Sequence, residues 1–478
     1  MKALLRAWPF ALGTSTFSFM TLSALRPSLR RGSNSQLDRA IWPLSTRIDE
    51  LGRLCIGGVA ATEIAAEFGT PTYVVDEEDF RARIRCYRAA LPGVGLIYAG
   101  KALLSAAVAG WAAAEGAGVG VSSGGELATA LAGGVPPSQI ILHGDAKTAG
   151  DLHEAAAAGV GRIVIDSPSE IALLASRVRR QRVLVRVIPD LETGGAAGGD
   201  TGVLDPTFGF ALAGGEAASA VKRVLDQPCL DLVGLHCQLG SQLSDAKLYG
   251  AAIRQMMAVL AEVRDRHQVA LTELNLGGGQ AVPCKSGAPE LGLRELATVI
   301  DGALESACAE YSYPHPRIVI EPGRAIAARA GITLYRVTAA KRQPGGRIFV
   351  AVDGGRPDNP RAAVSGSTYT VALANRHRSA SLTPATIVGR DRQAGSEIAR
   401  DVDLPADIHP GDLLAIACTG AYHHSMGSSC NLAGSPPLVA VAAGQPHELV
   451  RRETVADLLA RDRGWPGHPY PGRAATAS

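Results

Sequence analysis

A lysine directly behind a short apolar run, Lys101 in Tyr98-Ala99-Gly100-Lys101, is the first residue whose position could do chemistry. If the run is a buried strand, the lysine points toward a polar mouth, where desolvation lowers an amine pKa and allows a Schiff base with an aldehyde. The second group is Gly277, Gly278 and Gly279 behind Leu274-Asn275-Leu276. Glycines let backbone N–H groups approach an anion, and Ser241 and Arg324 could complete a phosphate site. The third is Glu321, at the end of Ile318-Val319-Ile320. A carboxylate buried there needs a cationic partner, either a protonated pyridine nitrogen or the nearby Arg324. Each has an ordinary alternative, since most lysines are solvated charges and a triple glycine is often only a tight turn.

Bringing these groups together is the task of the elements between them. From residue 96 the chain repeats a short β-branched run, a turn with a polar or glycine residue, and an Ala/Leu-rich helical stretch. The runs are Leu96 to Ala99, Val119 to Val121, Ile140 to Leu142, Ile163 to Ile165, Val183 to Val187, Leu232 to Cys237, Leu274 to Leu276 and Ile318 to Ile320. Helices are predicted over stretches such as SAAVAGWAAAEG, GELATALAGG and KLYGAAIRQMMAVLAEVRDRH. Eight strands apolar on both faces within about 230 residues fit an α/β fold of the TIM-type (β/α)8 barrel better than an open doubly wound sheet. Barrel active sites form at the C-terminal strand ends. The residues there are Lys101, Ser122 to Gly125, His143, Asp166, Arg186, His236 to Ser241, Gly277 to Gly279 and Glu321 to Arg324.

After Arg324 come strand-like segments without helices (ITLYRVT, RIFVAVD, TIVG, EIARDVDLP, DLLAIA, PLVAV), which predicts a C-terminal antiparallel β domain. TPTYVV, before the barrel, could add a strand to it. The expected organisation is a disordered N-terminal extension over 1–50, a β domain from 51–75 and 331–450, the barrel over 76–330 and a tail over 451–478. LETGGAAGGDTGV reads as a mobile loop.

Composition limits the partner. Against 47 Lys and Arg stand 45 Asp and Glu, a formal charge of +2, so no strong field holds nucleic acid or an anionic membrane. A small molecule is the expected partner. With 46% apolar but only 5% aromatic residues, the core must be Ala, Val, Leu and Ile. The eight cysteines form no Cys-x-x-Cys pair and are too sparse for a disulfide framework, so a reduced, cytoplasmic protein with no metal is expected. MKALLRAWPFALGTSTFSFMTLSAL looks like a poor signal peptide without an Ala-x-Ala site, and reads as an extension or an upstream start. No other run approaches the ~20 apolar residues of a membrane span.

YAGK, SSGGE, HGDAKT, GLHCQLGSQ, LNLGGG, EPGR, VDGGRPDNPR, RDVDLPAD, PGDLLA and TGAYHHSM follow one another along the chain. In this order they resemble the fold-type-III pyridoxal-phosphate-dependent decarboxylases, most closely the diaminopimelate decarboxylase group, over about residues 70 to 445. The resemblance implies that Lys101 carries pyridoxal 5′-phosphate as a Schiff base and that Ser241, Gly277, Gly278, Gly279 and Arg324 surround its phosphate. It also implies that Glu321 pairs with the ring nitrogen and that Arg324 and Arg361 face the substrate. A head-to-tail homodimer with shared active sites would follow. The reaction implied is loss of CO2 from an amino acid, meso-diaminopimelate giving L-lysine, with the protonated ring holding the electron pair until a proton returns to Cα.

Several family positions are altered. Gln238 stands where the family stacks an imidazole on the cofactor, Cys430 and Ser365 replace tyrosines, and Gly120 replaces an aspartate. The Cys-Glu pair that the family draws from the partner subunit is Arg392-Gln393 in GRDRQAGSE. Its cysteine is the expected proton donor, and an arginine, which stays protonated near neutrality, is a poor one, which makes His423 and His424 the candidate donors. The exchange moves the local charge from about −1 to about +1, so the distal end of the preferred substrate is expected to be neutral or anionic. A cofactor-binding homologue with lost turnover is the alternative, because the changes lie together. A racemase on the same barrel is disfavoured, since a carboxylate on the ring nitrogen strengthens the electron sink.

Overall fold

The computed structural model describes residues 37–191, 208–344, 346–361, 368–391 and 396–462. Strand β1 (Thr72–Asp76) precedes β2 (Gly95–Ala99), β3 (Gly118–Val121), β4 (Ile140–Leu142), β5 (Arg162–Ile165), β6 (Gln181–Ile188), β7 (Leu230–His236), β8 (Glu273–Asn275) and β9 (Arg317–Ile320). β2 to β9 pair in parallel in chain order, and β9 returns to β2 through Val319↔Gly95 and Ile320↔Leu96, which closes the predicted barrel. Ile97, Ile141, Val164, Leu184, Val233 and Val319 form one buried cluster contributed by six of these strands. Branched aliphatic side chains therefore fill the axis, as a core poor in aromatics requires. The turns at the strand ends start the helices: Ser105, Ser123, Thr148 and Ser167 each accept a hydrogen bond from the backbone N–H three residues on.

The β domain contains β10 (Gly331–Arg342), β11 (Ile348–Val352), β12 (Leu382–Val388), β13 (Glu397–Pro405), β14 (Leu413–Ala417), β15 (Leu438–Ala442) and β16 (Gln445–Val450). β1 joins it, antiparallel to β10 (Ile332↔Val74) and parallel to β15 (Val439↔Val74). With β11 and β12 also parallel, the domain is mixed rather than wholly antiparallel. Tyr335, Val350, Ile387, Leu404 and Ile416 lie in its core.

One expected boundary is corrected. Ile41 and Trp42 are 1% and 2% exposed, and Arg47–Ile48, Leu54–Ile56 and Val59–Ala60 make a separate three-stranded antiparallel sheet, so the chain is anchored from Ile41 onward although Leu44 stays exposed. Burying the Ile41 side chain alone is worth about 2 kcal/mol, which a loose extension would forgo. In the expected tail, Val455–Ala460 is helical because Thr454 and Asp457 form a reciprocal capping box. The glycine-rich stretch beyond Leu191, the first 36 residues and residues 463–478 lie outside the described residues. Among the described residues no helix is long and apolar enough to cross a membrane.

Candidate active site

Strand register assembles the mouth of the barrel. Arg186 pairs with His236, His236 with Asn275 and Asn275 with Val319, so the ends of β6 to β9 are level. Glu321 continues this ladder, its N–H donating to Gly277 O at 2.8 Å. Its carboxylate is buried, with Oε1 accepting from Asn275 Nδ2 at 2.7 Å and lying 3.0 Å from His143 Nε2. His236 Nε2 is 3.8 Å from Oε2. Burial alone would raise the Glu321 pKa, but the bonded His143 imidazole, with His236 behind it, outweighs burial and holds the carboxyl well below the usual range. Burial pushes the His236 imidazole down to about 4, and neither of its ring nitrogens has a hydrogen-bond partner. The barrel mouth thus presents an ionised, buried carboxylate.

A cavity of about 310 Å³ opens over it, and Lys101, Ser241, Gly278, Gly279, Glu321 and Arg324 all line it. Lys101 stands in the one-turn helix Gly100–Ala102 directly behind β2. The floor is backbone: a Cβ on Gly278 would come within 2.4 Å of Glu321 O, and one on Gly279, at φ +96°, within 2.3 Å of Gly240 O. Arg324 Nη2 donates to Ser241 Oγ at 3.4 Å, and its guanidinium lies 4.9 Å from the centroid of the Tyr422 ring. Arg361 meets the same ring at 5.6 Å but does not itself line the cavity. Gln280 lines it with an amide that is buried and unpartnered at both ends. A buried amide of this kind, beside a glycine floor, a hydroxyl and an arginine, fits a polar anionic group such as a phosphate.

The altered positions divide. Gln238 lines the cavity, but Nε2 donates to Gly240 O at 2.7 Å and Oε1 accepts from Gly278 N at 3.3 Å, so it ties two loops together. At Gly120 a Cβ would stand 3.5 Å from the His143 ring, an ordinary contact, so the site has room for a side chain. Cys430, in the turn Cys430–Leu432, does not line the cavity. Ser365, Arg392 and Gln393 lie outside the described residues. Asn275, Gln280, Tyr422 and the pairing of His143 with Glu321 were not anticipated; a lone polar residue inside the run Leu274-Asn275-Leu276 was the available signal.

The expected proton-donor role of His423 and His424 is corrected, because neither lines the cavity. His423 is buried, with Nδ1 2.9 Å from Ala421 O and Nε2 3.1 Å from Asn359 Oδ1, and burial pushes its pKa down to about 4. An imidazole that is neutral at neutral pH makes a poor general acid. His424 packs edge-on against Tyr73, with centroids 5.6 Å apart, and lines a different cavity with Thr70 and Asp353. His236 and His423 therefore predict an acid-labile fold. Both protonate near 6.5 when unfolded but only near 4 when folded, so their stabilisation is complete above pH ~6.5 and lost as pH falls toward 4. Urea titrations should show this decline, shallower in His423→Gln; identical pH dependence in the two proteins would contradict it.

Residues 77–328 match the pyridoxal-binding domain of the pyridoxal-dependent decarboxylases. The fold and cavity described above are thus those of a decarboxylase that uses pyridoxal phosphate. The relatives are specific. The chain is 48% identical over 444 residues to a diaminopimelate decarboxylase of Actinosynnema pretiosum subsp. auranticum, spanning 93% of this chain and 100% of that one. It is 40% identical to the diaminopimelate decarboxylase of Mycobacterium tuberculosis, over 88% of this chain and 97% of the relative. The crystal structure of the M. jannaschii diaminopimelate decarboxylase in complex with L-lysine superimposes with a TM-score of 0.82 at 28% identity, covering 89% of this chain and 99% of that one. The chain belongs to the diaminopimelate decarboxylase family.

Proposed function

We propose that this enzyme removes the carboxylate of meso-diaminopimelate to give L-lysine and CO2. The observation that carries this reading is the meeting of Lys101, the glycine floor with Ser241 and Arg324, and the ionised Glu321 in one cavity, in a chain nearly half identical to a named diaminopimelate decarboxylase. Bound pyridoxal phosphate supplies the sink for the electron pair left on Cα when CO2 departs. In this proposal the Lys101 amine holds the cofactor's carbonyl carbon. The Gly279 N–H, Ser241 Oγ, the Gln280 amide and the Arg324 guanidinium bind the phosphate, whereas Gly277, which does not line the cavity, donates its N–H to Asn275 Oδ1 at 3.0 Å, and Gly278 donates its own to Gln238 Oε1. Glu321, oriented by Asn275 and His143, keeps a proton on the ring nitrogen. Tyr422 braces Arg324 and Arg361; Arg361, which does not line the cavity, acts on the substrate through that ring rather than by contact. We further propose a head-to-tail homodimer in a reducing, cytoplasmic setting; the eight free thiols support the setting, and sedimentation tests the dimer.

A second reading rests on Arg392-Gln393, whose charge suits a substrate with a neutral or anionic distal end. One panel separates the readings. Purified enzyme with pyridoxal phosphate is expected to release CO2 and lysine from meso-diaminopimelate faster than CO2 from neutral or acidic amino acids. Preference for an acidic or neutral substrate would favour the second reading. A bound cofactor spectrum with no CO2 from any member would point to a homologue without turnover.

A further inference from the structure

Two thiols meet between the barrel's glycine loop and the β domain. Cys284 lies five residues past Gly279, and Cys418 directly follows β14. Their Sγ atoms are 3.0 Å apart, closer than two sulfurs rest in ordinary contact, although the residues are 134 positions apart in sequence. The backbone is set for this approach. Cys418 is buried at φ +63°, a left-handed conformation that a cysteine seldom adopts, and its Sγ faces Pro283 O at 3.6 Å. The Thr370 hydroxyl donates to Cys284 O at 3.1 Å and fixes the other loop. Cys284 is partly buried, whereas Cys418 is fully buried, so Cys284 is the more accessible of the two.

We propose that Cys284 and Cys418 form an oxidisable dithiol, a modification site for a peroxide-class oxidant whose product is a disulfide tying the barrel loop to the β domain. Cys284 is the attacking thiol. The hydrogen bond from Cys418 lowers its pKa against the effect of burial, with Arg324, Arg329 and Arg361 adding to the effect, while the same bond and burial raise the Cys418 pKa. The Cys284 thiolate attacks one peroxide oxygen; the S–O bond forms, the O–O bond breaks, and hydroxide leaves and takes up the thiol proton as water. Cys418 then gives up its proton and attacks the Cys284 sulfenic sulfur; the S–S bond forms and the second oxygen leaves as water. Two thiols and one H2O2 become one disulfide and two waters.

Closing so long a loop constrains the unfolded chain, so the oxidised protein should melt several degrees higher. The test treats the holoenzyme with hydrogen peroxide, alkylates the remaining thiols and maps tryptic peptides without reductant. A linked pair of peptides carrying Cys284 and Cys418 is expected, lighter by two hydrogens than the separate peptides. The rise in melting temperature should be reversed by dithiothreitol and absent in Cys284→Ser. Alkylation of both thiols after peroxide treatment, or linkage of Cys284 to a different cysteine, would overturn the proposal.

Discussion

Replacing Lys101 by alanine is expected to abolish covalent attachment of pyridoxal phosphate and to lower turnover by about 10³-fold or more, equivalent to roughly 4 kcal/mol of transition-state stabilisation. Lys101 is the lysine that lines the cavity, and its place directly behind β2 sets its amine among the convergent strand ends. The nearest rival in sequence is Lys147, from HGDAKT. Its ammonium is buried and committed, donating to Gly144 O at 2.6 Å and to Glu170 Oε1 and Oε2 at 3.1 and 3.0 Å, so releasing it would leave the Glu170 carboxylate without its counter-charge. Borohydride reduction of the wild-type enzyme followed by peptide mapping should place the cofactor on Lys101 alone. The Lys101→Ala protein should still hold pyridoxal phosphate without a covalent bond, because Ser241, Gly278, Gly279 and Arg324 remain. A reduced adduct of normal yield on Lys147 in that variant would show that the attachment site had been misassigned.

What was legible in the sequence, and what was not, follows from which interactions repeat. Barrel strands are buried on both faces, so they appear as short apolar runs at regular spacing, and all eight were visible before the structure. Site residues immediately behind those runs, such as Lys101 and Glu321, were legible for the same reason, since the fold decides where a strand end points. Direction within the β domain was not. The parallel pairing of β1 with β15 depends on where the barrel returns the chain, and an apolar pattern is the same for parallel and antiparallel neighbours. The sheet formed by Arg47–Ile48, Leu54–Ile56 and Val59–Ala60 has strands too short to show any period. Asn275 was hidden differently: its need for a partner is met by Glu321, 46 residues away, and only the closed barrel brings them together. For His423 and Gln238 the sequence places the residue near the cavity, but local hydrogen bonds decide that one ring turns into the β domain and the other side chain ties down a loop.

Glu321→Gln should separate binding from turnover. The amide has the shape of the carboxylate and can keep an oxygen facing Asn275 Nδ2, so the cavity should hold its form. What disappears is the negative charge that His143 and His236 stabilise against the effect of burial. Because a neutral amide cannot hold a proton on the ring nitrogen as a carboxylate does, turnover should fall by about 10²- to 10³-fold, the usual loss when one well-placed electrostatic partner is removed from a dry site. Cofactor affinity should change little, since the phosphate groups at the other end of the cavity are untouched. Arg324→Ala makes the opposite change. It removes a guanidinium bonded to Ser241 and stacked on Tyr422, so the dissociation constant for pyridoxal phosphate should rise by about tenfold or more. Much of its turnover should return at saturating cofactor, whereas Glu321→Gln should not be rescued. The comparison requires fluorescence titration of the cofactor and CO2 release at saturating cofactor for both variants. Equal affinity losses would remove the division of roles between the two residues. Near wild-type turnover in Glu321→Gln would mean that the ring nitrogen is held elsewhere, with His143 and His236, the imidazoles beside the carboxylate, as the next residues to replace.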